Sequence, residues 1–258
     1  MKPNIIYILT DQHNAGVMGC GGDDYGRTPH LDGLRARSTM LEQCYCAAPL
    51  CVPSRSSILT GLLPTHTGVY NNMQCLPSDK ATFVNLLTIA GYETVLSGRM
   101  HFVGLDQRHG YERRLVGDIT PCFIGGDNEE EIYGSFKRSS GQNLTSIKKS
   151  GAGHSAVLDF DRDVTDAACD YLRKRSKERP LFMTVGLYGP HCPYIAPKEL
   201  YDYYYSILPE LPDMTEEERR SLHPAVLQWH QNRRMEQVEK EDVRRIRAAY
   251  YAMVEYMD

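Results

Sequence analysis

The sequence predicts an α/β fold with a largely parallel central sheet flanked by helices. Three runs, at residues 5–9, 92–97 and 181–187, are rich in apolar and β-branched residues and lack strict alternation with polar ones. Such runs are typical of strands that are buried on both faces. Segments with helical periodicity separate the three runs, and alternating strands and helices favour a parallel sheet.

Helix signals fill the intervals between the predicted strands. Thr28-Pro29 precedes one helix, Pro53 begins the next, and Ser78-Asp79 would cap a third that ends at Gly91. With a later periodic segment, the predicted helices span 30–37, 54–62, 79–90 and 163–175.

The remaining segments are less regular. Residues 104–160 are rich in Gly, Ser and Asp and weakly periodic, so we predict a long excursion over the sheet that shapes a pocket rim. Residues 201–240 are polar and become helical from Thr215. Residues 241–258 are predicted to form an amphipathic helix. Its expected apolar stripe is Val243, Ile246, Ala249, Tyr250, Met253 and Met257.

Length and charge limit the classes of function. The chain has 258 residues and a net charge of −4, with both signs spread along it. The length suffices for one large domain or most of one, and the charge pattern argues against a nucleic-acid partner. The apolar run at 5–9 is far too short for a signal peptide or a membrane helix. We therefore predict a cytoplasmic protein with no membrane partner.

The cysteines do not indicate a disulfide framework. Eight cysteines are too few for a scaffold of this length. Cys44, Cys46 and Cys51 lie close together, but their spacing matches no common zinc pattern and no paired His or Cys set follows. Apart from Cys51, the cysteines are expected to be buried free thiols.

Several polar residues follow the predicted strands directly. Ligands in open parallel sheets gather beyond the carboxyl ends of the strands, so these residues could converge on one crevice. Two further candidates, Cys51 and Arg55, sit at the start of the helix predicted at 54–62. The full set is Asp11, Gln12, Cys51, Arg55, Arg99, His101 and His191.

The residue types in this set suit metal-assisted acid–base chemistry. Asp11 offers a hard carboxylate oxygen and Gln12 a neutral carbonyl oxygen, both suited to Ca²⁺ or Mg²⁺. His101 and His191 titrate near neutrality, as general acids and bases do.

Residues 51–61, CVPSRSSILTG, resemble the signature of the type I sulfatases, which belong to the alkaline phosphatase superfamily. The resemblance extends along the chain. Residues 4–12 are similar to the opening strand of that family with its metal ligands, and 28–32 to its next helix. Residues 97–104, 106–110 and 243–251 are similar to the choline sulfatase branch.

The resemblance implies a catalytic cycle at position 51. In this family a separate formylglycine-generating enzyme converts the cysteine to formylglycine, whose hydrate carries two hydroxyl groups. One attacks sulfur and expels the alcohol, and the other then ejects sulfate. Arg55 would hold the hydrate. His101 would accept a proton from the second hydroxyl, and His191 would bind sulfate or protonate the leaving oxygen.

The resemblance also implies the remaining roles. Asp11, Gln12 and position 51 would bind Ca²⁺ or Mg²⁺, and Arg99 stands where the family usually has lysine. The expected reaction is hydrolysis of a small sulfate ester, with choline sulfate as one candidate. The oligomeric state stays open, with a homo-oligomer as one outcome. Residues 1–258 would form the N-terminal part of a single catalytic domain, and we expect further metal ligands beyond Asp258.

Alternatives remain at this point. A phosphonate monoester or phosphodiester hydrolase of the same superfamily would share the nucleophile and the metal. An inactive sulfatase-like fragment would keep the fold without the activity. A thiol-based phosphatase is disfavoured, because its Cys-x₅-Arg loop would need arginine at the position of Ser57.

Overall fold

Groups of helices separate short strands in the computed structural model, which describes residues 2–120 and 143–258. The described residues form two compact units, each assembled from separated segments. Residues 2–11, 41–120 and 159–188 form the first unit. Residues 12–40, 143–158 and 189–258 form the second. The prediction of a single catalytic domain stays a prediction.

Six strands are present in the described part of the chain. They are β1 (Ile5–Leu9), β2 (Glu93–Gly98), β3 (Arg113–Arg114), β4 (Gly151–Ala152), β5 (Leu181–Gly186) and β6 (Ile195–Ala196). The first unit holds a four-stranded sheet in the order β1-β5-β2-β3, and all of its pairings are parallel. The second unit holds the parallel pair β4–β6. The predicted parallel sheet is thus confirmed.

The burial of the strands differs from the prediction at β1. β5 is buried along its whole length, as expected of a strand between two neighbours. β1 instead alternates, with Ile6 43% and Ile8 62% exposed. Its burial on both faces was wrongly predicted, because β1 is the outermost strand of this sheet and the described residues cover only one of its faces.

The covered face of the sheet packs against helices in the first unit. Ile5, Tyr7 and Leu9 contact a buried cluster from the sheet and the helices Cys51–Thr60 and Phe83–Ile89. Its members are Leu59, Val84, Tyr92, Leu96, Met100, Phe102, Tyr111 and Phe182. This packing fixes the sheet against the helix that begins at Cys51.

The predicted helices are present with shifted ends, and Pro64–Thr67, Leu144–Lys148 and Lys198–Ile207 are helices that were not predicted from the sequence. The helices of the described residues span Pro29–Arg35, Cys51–Thr60, Pro64–Thr67, Phe83–Ile89, Leu144–Lys148, Ala156–Lys174, Lys198–Ile207, Glu216–Ser221, Pro224–Asn232 and Lys240–Met257. Short 3₁₀ turns lie at Ala15–Val17, Gly19–Gly21 and Met235–Gln237.

The predicted cap of the third helix is wrong. Thr82, and not Ser78-Asp79, caps the helix Phe83–Ile89, and its hydroxyl accepts a hydrogen bond from the Asn85 amide at 3.3 Å. The Asn85 side chain accepts from the Thr82 amide in return, so the two form a reciprocal capping box. Thr82 was overlooked because several polar residues precede this helix.

The second unit packs the helix Lys240–Met257 against Lys198–Ile207, which the sequence did not reveal. Tyr204 from one helix and Ala248 and Ala252 from the other are fully buried in this core. The predicted stripe is partly wrong, since Val243 is 37% exposed. Small alanines form the buried face here, because they allow the two helices to approach closely.

Other expectations had mixed outcomes. Residues 121–142 of the predicted excursion, including Cys122, lie outside the described residues, and its role as a pocket rim stays a prediction. Cys44, Cys46 and Cys75 are exposed, so their predicted burial is wrong, whereas Cys192 is buried. Among the described residues, no helix is both long and apolar enough to span a bilayer.

Candidate active site

Asp11 lies just beyond β1 and is buried between two guanidinium groups of the first unit. Its Oδ2 accepts hydrogen bonds from Arg55 Nη2 at 2.9 Å and from Arg99 Nε at 3.0 Å. The three side chains are almost inaccessible to solvent. Buried charges of this kind are tolerated because they are paired.

Cys51 is the first residue of the helix Cys51–Thr60, and its thiol points at the same carboxylate. Its Sγ lies 3.8 Å from Asp11 Oδ1. The Asn72 side chain accepts a hydrogen bond from the Val52 amide at 3.0 Å, which pairs one backbone donor of the first helical turn. Pro53 is also in that turn, where its missing N–H has no cost. The helix start is therefore fixed at the site.

Arg55 follows Cys51 by one helical turn and lies on the same face of the helix. Besides its bond to Asp11, its Nη1 donates to the backbone oxygen of Arg99 at 3.0 Å. The helix and the end of β2 are thereby linked through one side chain.

Two glycines allow the end of β2 to bring Arg99 into the site. The Arg99 amide donates to Gly186 O at 2.8 Å, where β2 and β5 end side by side. A Cβ at Gly186 would lie 1.9 Å from Arg99 O, and Gly98 has a φ of +85° that favours glycine. This close backbone approach therefore requires both glycines.

Arg99 is held on several sides. Its Nη1 lies 3.0 Å from Thr120 Oγ1 and 3.4 Å from Asp118 Oδ1, and its guanidinium carbon is 4.5 Å from the centre of the Tyr188 ring. Burial opposes its charge, but the carboxylates of Asp11 and Asp118 outweigh burial and raise the pKa of Arg99. Its charge is therefore permanent.

The His101 ring is held by the same guanidinium. Arg99 Nη2 lies 3.0 Å from His101 Nδ1. Because a guanidinium can only donate, Nδ1 is the acceptor and the neutral ring carries its proton on Nε2. Burial and then the charge of Arg99 lower the pKa of His101 below its ordinary value. The His101 backbone has a φ of 54°, in the left-handed region.

Burial has the opposite effect on the thiol. It raises the pKa of Cys51, and the nearby positive charge of Arg99 only partly offsets the shift. At neutral pH the unmodified side chain is thus a thiol, which is a weak nucleophile compared with a thiolate.

Gln12 and His191 belong to the second unit. Gln12 Nε2 lies 3.1 Å from the Tyr194 hydroxyl, and the Tyr250 hydroxyl donates to Gln12 O at 2.6 Å. His191 Nδ1 lies 2.8 Å from Cys192 O, so Nδ1 carries a proton in this contact. The structure thus brings five of the candidates together in the first unit, namely Asp11, Cys51, Arg55, Arg99 and His101. Their catalytic roles stay predictions.

Three further residues of this site were missed from the sequence: Asp118, Thr120 and Tyr188. Asp118 is fully buried and Tyr188 nearly so. Residue 118 falls in the weakly periodic excursion, where nothing marks a contact with Arg99. The only local signal is the Asp-x-Thr spacing, which produces a turn in which the Thr120 amide donates to Asp118 Oδ1 at 3.0 Å.

Solved structures share this fold. The phosphonate monoester hydrolase of Agrobacterium radiobacter superposes with a TM-score of 0.76 at 17% identity, covering 99% of this chain and 57% of its own. BT4656, solved in complex with D-glucosamine-2-N,6-O-disulfate, gives a TM-score of 0.68 at 20% identity and covers 100% and 60% of the two chains. At such identities the likeness supports the fold alone, and it confirms the predicted architecture.

Sequence relatives indicate the family. The choline-sulfatase of Rhizobium meliloti (strain 1021) is 35% identical over 271 residues, covering 100% of this chain and 52% of the relative. The chain thus spans about half the length of that protein. The sulfatase family model matches residues 3–258. By this match and by the motif that begins at Cys51, the chain belongs to the sulfatase family.

Proposed function

We propose that this chain carries catalytic residues of a sulfuric ester hydrolase, which converts a sulfate ester to an alcohol and inorganic sulfate. The observation that carries the proposal is the position of Cys51, 3.8 Å from the carboxylate that Arg55 and Arg99 share. The motif that defines the family in the sequence therefore lies among buried charged groups suited to a reactive oxyanion.

The charges of this cluster suit an anionic ester once a cation is present. Asp11 and Asp118 balance Arg55 and Arg99, so these four side chains are neutral together. A bound divalent cation would give the positive excess that an anionic substrate requires and would polarise its oxygen. Arg55 and Arg99 are already held in place, so they need no reorganisation to stabilise charge.

The donor atoms fit calcium or magnesium in type. Asp11 Oδ1 faces position 51, and Gln12, the next residue, offers an amide oxygen. Hard cations prefer such oxygens, and Ca²⁺ takes roughly six to eight of them. We propose that Asp11, Gln12 and position 51 supply part of this shell.

Position 51 is proposed to be formylglycine, made by a separate formylglycine-generating enzyme. The buried Cys51 thiol, with its raised pKa, suits direct nucleophilic attack poorly. When formed, the hydrated aldehyde would supply the nucleophilic oxygen. Arg55, one turn along the helix, would hold that oxygen and offset its charge.

The two histidines would handle protons. With Nδ1 accepting from Arg99, the ring carries its proton on Nε2, and it would accept a further proton only if Nδ1 gave up its bond to Arg99. We therefore propose that His101 first donates a hydrogen bond at position 51 and becomes a base only when its ring turns away from the fixed Arg99. His191 is proposed to bind sulfate or to protonate the leaving oxygen.

The proposed substrate is a small sulfate ester. A choline-sulfatase is among the relatives, and residues 97–110 resemble that branch, so choline sulfate is the first substrate to test. Phosphonate monoesters and phosphodiesters are the competing substrate class.

The test combines mass spectrometry with parallel assays. The protein, with any continuation of its reading frame beyond Asp258, is produced together with a formylglycine-generating enzyme. The peptide that contains residues 51–55 is examined for an aldehyde in place of the thiol. Rates are then compared on choline sulfate, an aryl sulfate, an aryl phosphodiester and a phosphonate monoester, with Cys51→Ser as the unconverted control. We expect the aldehyde and the fastest turnover on a sulfate ester.

Other outcomes would overturn parts of the proposal. Full activity with an intact thiol would exclude formylglycine. Faster phosphonate or phosphodiester turnover would replace the substrate class. An aldehyde-bearing protein that is produced with any continuation of the reading frame and still turns over none of these esters would indicate a non-catalytic sulfatase-like protein.

A further inference from the structure

We propose that Asp118 is a positioning residue that holds Arg99 and His101 in place and sets the tautomer of the His101 ring. The proposal concerns a residue that the family motifs in this sequence do not include. It rests on the proposed function for the importance of Arg99 and His101, and on the geometry of the first unit for everything else.

Both oxygens of Asp118 face the site. Oδ2 accepts a hydrogen bond from the His101 amide at 2.7 Å. Oδ1 lies 2.6 Å from Thr120 Oγ1 and 3.4 Å from Arg99 Nη1. The carboxylate is fully buried, so these bonds are not weakened by competing water.

The bond to the His101 amide supports an unusual backbone. His101 has a φ of 54°, in the left-handed region that residues other than glycine adopt only at a cost in free energy. A charge-assisted hydrogen bond to its N–H offsets part of this cost. Asp118 thereby helps to keep the ring on the side of the chain where Arg99 reaches it.

The hydrogen bonds that Asp11, Thr120 and Asp118 accept from Arg99 determine which nitrogen of its guanidinium faces the His101 ring. Asp11 accepts from Nε, while Thr120 and Asp118 accept from Nη1. The guanidinium is planar and rigid, so these contacts aim Nη2 at His101 Nδ1, 3.0 Å away. Asp118 therefore acts on the ring through two routes, the backbone of His101 and the side chain of Arg99.

Removing the negative charge should loosen both routes. With Asp118→Asn, the neutral side chain keeps a single acceptor oxygen, so it can no longer accept from both the His101 N–H and Arg99 Nη1. We expect His101 to change from a single Nε2–H tautomer to a mixture of both tautomers. In the active enzyme we expect kcat to fall about 10–100-fold, as for other residues that orient catalytic groups.

Nitrogen-15 NMR of the histidine rings tests the proposal without relying on activity. The full 258-residue chain is labelled, and the His101 signals are assigned from their loss in His101→Gln. Native protein should show Nε2 protonated and Nδ1 unprotonated, and Asp118→Asn should shift both signals towards intermediate values. Thr120→Val keeps the side-chain shape but removes the hydroxyl between Asp118 and Arg99, so it should give a smaller shift in the same direction.

Asp106→Asn is the matched control. Asp106 lies 3.3 Å from the His109 ring in the same unit, so its substitution should move the His109 signals and leave those of His101 unchanged. A native His101 with its proton on Nδ1 would overturn the proposal. An unaltered Nε2–H tautomer in folded Asp118→Asn would also overturn it, as would the same result in Thr120→Val if Asp118→Asn does not fold.

The two proposals can fail separately. An unshifted tautomer in an enzyme that hydrolyses sulfate esters contradicts only the role of Asp118. A shifted tautomer in a chain that hydrolyses none of the test esters supports the Asp118 contacts and contradicts the proposed function.

Discussion

Asp11 is the residue on which the charge balance of the site depends. One of its oxygens accepts from two guanidinium groups that are themselves buried, and the other faces Cys51. Taking either partner from a buried ion pair leaves an uncompensated charge, which is far more costly than losing a pair at the surface. The stability of the first unit and its chemistry therefore depend on the same carboxylate.

Asp11→Asn should therefore be strongly destabilising. We expect the free energy of unfolding to fall by about 3–5 kcal/mol, because Arg55 and Arg99 lose their shared counter-charge. Asp170→Asn is the control, since Asp170 forms pairs with Arg173 and Lys174 at the exposed surface, where solvent screening leaves such pairs little effect on stability. Urea denaturation of both variants checks the difference, and equal losses would contradict the importance of the buried pair.

Gly186 gives a second test at the scale of one residue. Gly186→Ala should destabilise the protein by more than about 3 kcal/mol, because the new Cβ would lie 1.9 Å from the backbone oxygen of Arg99. Gly33→Ala is its counterpart, since the helix Pro29–Arg35 leaves open space there. That change should stabilise by about 0.5–1 kcal/mol. Thermal unfolding would show opposite shifts in Tm, and shifts of the same sign would count against this interpretation.

The site residues found from the sequence share one property. Asp11 and Arg99 follow strands directly, and Cys51 and Arg55 lie within one short motif, so local patterns reveal them. Asp118 is different, because its partners Arg99 and His101 are 19 and 17 residues away across an irregular segment. Nothing in its immediate surroundings predicts that its side chain turns back to the end of β2.

At the scale of elements, the position at which a helix begins depends on the polar residue that caps it. The periodic pattern of apolar residues marks that position less well. The pattern placed most helices correctly but not their ends, since hydrophobic periodicity says little about which polar residue caps a helix. The helix Phe83–Ile89 shows this, because Ser78, Asp79 and Thr82 all precede it and only Thr82 forms the cap.

Thr82→Ala should therefore destabilise the protein by about 1–2 kcal/mol, as expected for loss of a helix cap. Its hydroxyl also donates to the His109 backbone oxygen at 2.8 Å, which places the cost towards the upper end of that range. Asp79→Ala removes the residue that the sequence suggested as the cap and should change stability by less than about 0.5 kcal/mol. Denaturant titration of both variants compares the two, and the reverse order would restore the original assignment.

The start of the helix Lys240–Met257 carries a pH-dependent contact in the second unit. Burial alone would raise the pKa of Asp242, but a hydrogen bond from Lys148 and others from the Glu239 amide and Arg245 outweigh it and lower the pKa to about 2. The folded state thus favours the ionised carboxylate. Its contribution is complete above the ordinary aspartate pKa of about 4 and disappears as the pH falls towards about 2.

Asp242→Asn should remove this dependence. We expect a loss of about 1–3 kcal/mol at neutral pH, because charge-assisted bonds become neutral ones. Between pH 4 and about 2 the variant should lose less stability than the native protein, since it has no carboxylate to protonate at this position. Urea unfolding across this range measures how the free energy of unfolding changes with pH in the native protein and in the variant. Parallel changes in the two proteins would show that Asp242 does not contribute.

At the scale of the whole molecule, local patterns were enough for the fold class but not for the grouping of segments. Each compact unit draws on three stretches of chain, and even the long helix Ala156–Lys174 contributes to both groups of residues. Periodicity reports which face of an element is apolar, not which distant element covers it. The excess of apolar residues in the first strand therefore suggested burial on both faces, when only one is covered within the described chain.

One side of β1 is left uncovered by the residues that the structure describes, and this has a practical consequence for work with the chain. Ile6 and Ile8 expose apolar side chains on one face of β1, the outermost strand of the described sheet. At high concentration, molecules can associate through such a surface. Such a surface should bind the dye ANS. Replacing Ile6 and Ile8 by threonine should reduce dye fluorescence and light scattering, whereas Leu105→Ser, at an isolated exposed loop position, should alter neither.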